Sequence, residues 1–461
     1  MMSLTEIINI TGAAPLQREA EGEITGVSTD TRTISPGGLF IALRGERFDG
    51  HDFVGEAFRK GAAAALVSRP SRTPVEGRLL LVQDTLQALG ALAANWRRRF
   101  ALPVVAVTGS VGKTTTKEMI ASSLSQSGEV LKTPENYNNE IGVPLTALTL
   151  APNHKAAVFE LAMRGRGQIR YLAEIISPSI GVITNIGLSH LELLSTPQAI
   201  AETKAELLEA MGSEGIAVLP RESEFFPFLA KKARRIVAFG LKEGDVRAEK
   251  IVAEGESLSF RIWLPSEIGA QEGEWHQARL PVPGKHNVVN ALAAAAAAKC
   301  AGASPAQILN GLEAFMSVPG RMRILQAPAG FTIMDDTYNA SPDSMRAALE
   351  TLAGMKGGGK IAVLGEMREL GPESAALHRA LGREAAALPL ALIVTVGELG
   401  KEIAVGAADA LSAAAIQPVT DAQAALKLVS GLVRKGDVVL VKASRALGLE
   451  AVVEGLLALS T

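Results

Sequence analysis

Cysteine is nearly absent from this chain of 461 residues, in which only Cys300 occurs. A single cysteine excludes an intrachain disulfide and is typical of a protein that works in a reducing compartment. Basic residues are not in excess either, since 46 Lys and Arg stand against 48 Asp and Glu, with a formal net charge of −2. This balance argues against a protein that binds nucleic acid through bulk positive charge.

Long apolar runs are also missing. The longest apolar tract, residues 291–298, is too short to cross a bilayer. Residues 1–20 contain no basic start followed by an apolar run, which is the pattern of a signal peptide. We therefore expect a cytoplasmic protein with no membrane span and no nucleic-acid partner, and we expect it to be a monomer.

The clearest motif is VVAVTGSVGKTTT at residues 104–116, which is followed by apolar residues at helical spacing. A strand, a glycine turn and a helix N-terminus in this order form a phosphate cradle. Lys113 would reach the terminal phosphates, and Thr114 or Thr115 would hold Mg²⁺. Val107 stands where a P-loop usually has its first glycine. The alternative is a plain glycine turn with an exposed lysine. We predict a nucleoside triphosphate site at Gly109, Ser110, Val111, Gly112, Lys113, Thr114 and Thr115.

The length of the chain indicates two or three domains. We place them at residues 1–98, 99–318 and 319–461, with boundaries at Leu102-Pro103 and near Pro319-Gly320. Beyond residue 330, four apolar strands each end in a glycine or a polar loop, and helical segments separate them. The predicted fold class is therefore α/β: an N-terminal α/β domain, a central P-loop domain with a mostly parallel sheet, and a C-terminal Rossmann-like domain.

Polar residues in loops supply further candidates. In the first domain they are Asp30, Arg32, Asp49 and His51, for which simple turn chemistry is the alternative. Glu160 ends a strand of the central domain, where a group that binds Mg²⁺ or orients water is expected, or else a buried capping glutamate. Asn138 and Asn139 precede it in what could be a plain loop, and His190 lies in a strand-to-helix loop, where a lone histidine is usually just solvated.

Lys204 is unusual because it shares the apolar face of its helix with Ile200, Leu207 and Leu208, with no acid three or four residues away. A lysine there is costly unless its stem snorkels to solvent or its amine has a task.

Asn287 and Asn290 lie three residues apart at the start of an alanine-rich helix, where they suit a nucleotide or serve only as caps. The C-terminal candidates are Arg321, Asp335, Asp336, Asn339, Lys442, Ser444 and Arg445.

Eight segments resemble, in the same order, those of the Mur ligases, the ATP-dependent amide-forming enzymes of peptidoglycan precursor synthesis. They are TGSVGKTTT, NYNNEIGVPLT, ELAMRGRG, TNIGLSHLE, TKAELL, GKHNVVNALAA, PGRM and DDTYNASP. The resemblance runs from about Gly26 to about Val453. Within the family, STDTRTISPGGLFIALRGERFDGHDF and GEMRELG look like the members that add D-alanyl-D-alanine to UDP-N-acetylmuramoyl-tripeptide. Ala443 departs from the glycine that is usual before Ser444-Arg445.

The resemblance implies ATP and Mg²⁺ as cofactors and an acyl-phosphate intermediate. It implies catalytic roles for Lys113, Glu160, His190, Lys204, Arg321 and Asp336. Thr114 or Thr115 with Glu160 would hold one Mg²⁺, His190 would help to hold a second, and Lys204 would be carbamylated as a metal ligand. Asn287, Asn290, Arg321 and Asp336 would hold the nucleotide. The substrate residues would be Ser28, Asp30, Arg32, Asp49, His51, Asn138, Asn139, Asn339, Ser444 and Arg445.

Other activities stay open at this point. A P-loop switch or motor would use the same loop, but the guanine-reading Asn-Lys-x-Asp sequence is absent. A tripeptide-forming Mur-type ligase or a folylpolyglutamate-synthase-like ligase would share the chemistry. The DNPR sequence that is associated with diaminopimelate selection in the tripeptide ligase does not occur.

Overall fold

The computed structural model describes residues 1–16, 22–70, 77–188, 191–194, 196–409 and 415–459. The fold is α/β with several mostly parallel sheets, as the sequence predicts. The described chain forms two compact units. The first contains Met1–Ala106, Gly128–Ile180 and Glu209–Gly215, and the second contains Val107–Ser127, Gly181–Leu208 and Ile216–Thr461. The domain limits at residues 98 and 318 stay a prediction.

The elements up to residue 97 all belong to the first unit. They are β1 (Met2–Ser3), α1 (Leu4–Thr11), β2 (Ala14–Pro15), β3 (Glu23–Ile24), β4 (Val27–Ser28), β5 (Leu39–Ile41), α2 (Val54–Arg59), β6 (Ala64–Val67), β7 (Arg78–Leu81) and α3 (Thr85–Arg97). A sheet in the order β2-β7-β6-β5-β4 is parallel except at β2. The core beneath it includes Phe40, Val54 and Val67.

The middle of the chain contributes elements to both units. They are β8 (Val104–Thr108), α4 (Lys113–Leu124), β9 (Val130–Lys132), α5 (Gly142–Ala147), β10 (Ala156–Glu160), α6 (Gln168–Ile176), β11 (Ile180–Ile183), α7 (Leu191–Leu194), α8 (Pro197–Ala210), β12 (Ile216–Pro220), α9 (Phe226–Ala230), β13 (Arg235–Gly240), β14 (Val246–Glu254), β15 (Ser257–Pro265), β16 (Gly273–Leu280), α10 (Lys285–Cys300) and α11 (Pro305–Glu313). In the first unit, β9 and β10 pair in parallel. In the second, the strand order is β16-β15-β14-β13-β12-β11, and β15 pairs antiparallel with both β14 and β16.

The C-terminal elements belong to the second unit and form a doubly wound sheet. They are β17 (Arg323–Gln326), β18 (Thr332–Asp336), α12 (Pro342–Gly354), β19 (Lys360–Leu364), α13 (Ser374–Ala386), β20 (Leu392–Val396), α14 (Gly400–Ala408), β21 (Ile416–Val419), α15 (Ala422–Leu432), β22 (Val438–Lys442) and α16 (Glu450–Leu457). The strand order is β17-β18-β22-β19-β20-β21, and all pairs except β17-β18 are parallel.

Alternate residues of these strands face two separate cores, which explains their continuous apolar sequence. Met334 and Leu440 join the core that α12 and α13 cover, whereas Ile333 and Val439 join the core that α15 and α16 cover. The carboxyl ends of β18, β22 and β19 therefore meet at one edge, where an α/β sheet binds its ligands. In the described ranges, no helix has both the length and the apolar character needed to cross a bilayer.

Candidate active site

The phosphate loop, residues 109–115, requires glycine at two positions. Gly109 has φ 152° and Gly112 has φ 80°, a region that side chains disfavour. A Cβ atom at Gly109 would lie 1.9 Å from Thr184 Oγ1, and one at Gly112 would lie 2.3 Å from Asn290 Oδ1. The buried strand β8 thus ends in a turn that only glycine can make, and α4 begins directly at Lys113.

Asn185 fixes the shape of this loop from the neighbouring strand end. Its Oδ1 accepts hydrogen bonds from the backbone N–H groups of Ser110, at 3.0 Å, and Val111, at 2.9 Å. Thr184 Oγ1 donates to the carbonyl of Val111 at 2.6 Å, and Ser110 Oγ accepts from Gly187 N at 2.9 Å. The sequence analysis did not identify Asn185. The signal that could have found it is an amide side chain directly after β11, at the strand edge where ligands bind.

We expect Asn185→Ala to weaken ATP binding while leaving the fold intact. Loss of one side-chain oxygen removes two hydrogen bonds of about 1 kcal/mol each, so the KM for ATP should rise about 10-fold to 30-fold. Steady-state kinetics at varied ATP would measure the change. Asn310→Ala, an exposed substitution on α11, is the control. An unchanged KM for ATP would show that Asn185 does not shape the loop.

Two lysines of the second unit have contrasting surroundings. Lys113 Nζ donates to the carbonyl oxygens of Gly109, at 2.9 Å, and Ser110, at 3.3 Å. Lys204 is only 1% exposed, and no described residue hydrogen-bonds or pairs with its amine. Burial, and secondarily the positive charge of Lys113, hold the pKa of Lys204 well below its usual range. The environment of Lys204 therefore favours the neutral amine.

The two asparagines of α10 connect this helix with the first turn of α4. Asn287 is buried, and its Nδ2 donates to the carbonyl of Pro283 at 2.7 Å. Asn290 Nδ2 donates to Asn287 Oδ1 at 3.1 Å, and Asn290 Oδ1 accepts from Thr116 Oγ1 at 3.5 Å. Both asparagines line the same cavity as the phosphate loop.

The C-terminal sheet contributes an arginine and an ion pair. Arg321 Nη2 donates to Thr114 Oγ1 at 3.3 Å, and its guanidinium stacks 3.9 Å from the ring centre of Tyr338. Lys442 Nζ donates to Asp336 Oδ2 at 2.6 Å. Burial lowers the pKa of Lys442, and the carboxylate of Asp336 opposes this effect. Arg321 therefore contacts the threonine that we expect to serve the metal.

A cavity of about 540 Å³ joins these groups, a size typical of small-molecule sites. The predicted residues that line it are Ser110, Val111, Gly112, Lys113, Thr114, Thr115, Asn287, Asn290, Arg321, Asp336, Asn339, Lys442, Ser444 and Arg445. It is also lined by residues that we did not predict, among them Asn185, His286, Asp343, Arg368 and Glu369. Burial lowers the pKa of His286 to about 4, so its imidazole is neutral at physiological pH.

Glu160 belongs to the first unit and has an unpaired oxygen. The residue is 2% exposed, and its Oε1 accepts from Asn138 Nδ2 at 2.9 Å. Its Oε2 is buried and has no hydrogen-bond partner among the residues that the structure describes. Asn139 Oδ1 accepts from Ile141 N, at 3.1 Å, and Gly142 N, at 2.9 Å, in the turn just before α5.

The N-terminal candidates form two local clusters in the first unit. Arg32 is 84% exposed and pairs with Asp30 at 2.6 Å, and Ser28 Oγ accepts from Asp30 N at 3.0 Å. Asp49 Oδ1 lies 2.6 Å from His51 Nδ1. The hydrogen bond from His51 N is the main reason why the pKa of Asp49 falls to about 2. These contacts are those expected of polar residues that stabilise turns, which is the alternative that the sequence left open. A role of these residues in binding the substrate stays a proposal.

One of the predicted metal ligands, His190, lies outside the described residues. Within the described ranges, there is no group of three or more His, Cys, Asp and Glu side chains that could hold a metal ion.

Three family models match the chain: the Mur ligase middle domain at residues 107–298, the Mur ligase glutamate ligase domain at 320–445, and the Mur ligase family catalytic domain at 23–97. The UDP-N-acetylmuramoyl-tripeptide–D-alanyl-D-alanine ligase of Synechocystis sp. is 42% identical over 94% of this chain and 92% of its own length.

Two solved structures are similar over nearly the whole chain. The crystal structure of MurF from Acinetobacter baumannii has a TM-score of 0.90 at 35% identity and covers 99% of this chain and 98% of its own. MurF from Thermotoga maritima in complex with ADP has a TM-score of 0.82 at 32% identity, with coverages of 94% and 96%. With its domains, its relatives and its phosphate loop in agreement, this chain belongs to the Mur ligase family.

Proposed function

We propose that the chain joins D-alanyl-D-alanine to UDP-N-acetylmuramoyl-tripeptide in an ATP-dependent reaction through an acyl phosphate. The observation that carries this proposal is the cavity in which the phosphate loop meets the strand-end loops of the C-terminal sheet. A ligase needs both the phosphate loop and these strand-end loops in one cavity, because ATP and the attacking amine must reach the same carboxylate. Full-length relatives named for this activity support the choice of substrates.

The chemistry explains why Lys113 and Arg321 line the cavity. A carboxylate does not react with an amine because hydroxide is a poor leaving group, so ATP first phosphorylates it. Negative charge then moves across the transferring phosphoryl group, which Lys113 and the N–H groups at the start of α4 would stabilise. Arg321 would bind the phosphates beside Thr114, and Asp336 would hold Lys442 in place.

Magnesium fits the donors that the chain provides. The unpaired Oε2 of Glu160 is a buried carboxylate oxygen, which is the kind of ligand that Mg²⁺ prefers. Thr114 or Thr115 would supply a hydroxyl oxygen, and His190 is retained as a proposed ligand of a second ion. When bound, Mg²⁺ would neutralise charge on the phosphates.

A carbamate on Lys204 fits the surroundings of this residue. Only a neutral amine attacks CO₂, and the lowered pKa of Lys204 favours that form. The product replaces a buried neutral amine with a carboxylate-like group, for which a metal ion is the natural partner. Lys204 is therefore proposed as a carbamylated metal ligand.

The proposal also covers the compartment, the oligomeric state and the domain limits of the enzyme. We place it in the cytoplasm as a monomer, with domain limits at residues 98 and 318. Burial raises the pKa of the Cys300 thiol to about 12, so this cysteine is unreactive and is not expected to link two copies of the chain.

Phosphate release should require both the UDP-linked tripeptide and D-alanyl-D-alanine. The assay would contain ATP, Mg²⁺ and UDP-N-acetylmuramoyl-tripeptide, to which D-alanyl-D-alanine, single amino acids or folyl substrates with glutamate are added in turn. We expect the dipeptide to give a kcat/KM at least about 100-fold above any other amine. Equal turnover with a folate and glutamate would assign the chain to the folylpolyglutamate synthases instead, and turnover with a single amino acid would indicate a tripeptide-forming ligase.

A further inference from the structure

Two arginines that line the cavity, Arg321 and Arg445, contact the ring of one residue, Tyr338. The guanidinium carbon of Arg321 lies 3.9 Å from the centre of this ring, and that of Arg445 lies 5.3 Å from it. Both distances are within the range of a favourable cation–π contact. Tyr338 is half-buried and is not among the described residues that line the cavity, so its ring supports the two arginines from outside it.

The two arginines need such support because they carry like charges. Within the described ranges, neither Arg321 nor Arg445 forms an ion pair with a carboxylate. Burial lowers the pKa of Lys442 and Arg321 lowers it further, so a third basic group lies nearby. Positive charges gathered at one ring repel one another, and ordering two long side chains costs entropy. The face of the Tyr338 ring offsets both costs, since it attracts guanidinium groups without neutralising their charge.

The backbone around Tyr338 is held to the segment that carries Arg321. Tyr338 N donates to the carbonyl of Gly320 at 3.1 Å, and Gly320 N donates to Asp335 Oδ2 at 2.9 Å. Gly320 has φ 72°, and a Cβ atom there would lie 3.2 Å from Tyr338 Cβ. Glycine therefore lets the two segments approach closely enough for the ring of Tyr338 to lie against the guanidinium of Arg321.

The segment of Arg445 is tied to the same loop. Arg445 follows β22, whose last residue, Lys442, donates from Nζ to Asp336 Oδ2 at 2.6 Å and to the carbonyl of Asn339 at 2.9 Å. These bonds join the end of β22 to residues on both sides of Tyr338. Three segments that are distant in the sequence therefore meet at Tyr338, and two of them contribute an arginine to the cavity.

We propose that Tyr338 is a positioning residue that holds Arg321 and Arg445 at the cavity wall for a phosphoryl group, an inference that rests on the proposed ligase function. A transferring phosphoryl group spreads its negative charge over three oxygens, so two guanidinium groups that keep their full charge suit it. Because the pair is already in place, the reaction does not have to order two arginine side chains. Tyr338 acts through the arginines and does not contact the substrates.

Tyr338→Leu tests this role because it removes the aromatic face and leaves an apolar side chain. We expect kcat/KM for ATP to fall about 10-fold to 50-fold, and the affinity for the β,γ-imido analogue of ATP, measured by calorimetry, to fall about 10-fold. Tyr338→Phe keeps the ring and should stay within about threefold of the wild type in both measurements. A loss of equal size in Tyr338→Phe, or wild-type values in Tyr338→Leu, would overturn the inference.

A double-mutant cycle separates positioning from a general structural effect. Since Tyr338 acts through the arginines, Tyr338→Leu should cost about threefold or less in kcat/KM for ATP when Arg321 is already alanine. A merely structural role predicts the full loss again in that background, and such a result would contradict the proposal.

Phe226→Leu is the matched control, because the ring of Phe226 lies 4.9 Å from the guanidinium carbon of Arg221 and neither residue lines the cavity. This variant should keep the kinetic constants of the wild type. Binding of the ATP analogue needs no amine substrate, so the result for Tyr338 does not depend on which amine the enzyme uses. Failure of the wild-type enzyme to use D-alanyl-D-alanine would instead refute the proposed function.

Discussion

Lys204→Arg should abolish most turnover, at least about 100-fold in kcat, in a protein that still folds. Arginine keeps a long basic side chain, but its guanidinium cannot react with CO₂ to form a carbamate. The side chain of Lys204 is 1% exposed, so solvent does not hold its amine. Phosphate release would measure the activity, and circular dichroism with a thermal melt would confirm the fold.

A rescue experiment tests the same hypothesis independently of charge. In Lys204→Ala, acetate or formate could enter the vacated space and hold the metal as the carbamate would, which should restore part of the activity. Lys117→Ala is the matched control, because Lys117 is also buried but pairs with Glu118 at 2.9 Å. Carboxylic acids should not restore activity in that variant. Full activity of Lys204→Arg would refute the carbamate.

The strand before the phosphate loop, the position of Lys204 on its helix and the C-terminal sheet could be predicted, because each has a pattern that is local in the sequence. The apolar stretch before Gly109 predicted a buried strand, and β8 is one. The spacing of Ile200, Leu207 and Leu208 around Lys204 predicted an apolar helix face, and all four residues are buried in α8. Continuous apolar strands separated by helical segments predicted the doubly wound C-terminal sheet.

The missed groups depend on contacts between distant parts of the chain. Asn185 lies 75 and 74 residues beyond Ser110 and Val111, whose N–H groups it binds, and its two hydrogen bonds exist only because the ends of β8 and β11 lie together. For Asn139, the sequence could not separate a substrate ligand from a plain loop residue. Its side chain bonds to backbone N–H groups of the turn before α5, and a substrate role stays a proposal.

Glu160→Gln should lower turnover at least about 100-fold without lowering the stability of the fold. The amide keeps an oxygen for Asn138 Nδ2 but places N–H donors where Oε2 would bind a metal ion. Because Oε2 is buried and unpaired, removal of its charge should leave the free energy of unfolding unchanged or raise it by about 1 kcal/mol. A thermal melt in the absence of Mg²⁺ measures the stability and phosphate release the activity, with Glu174→Gln, an exposed substitution on α6, as the control. If the Mg²⁺-free melting temperature fell in proportion to the activity, Glu160 would be a structural residue, and the unpaired oxygen would need another explanation.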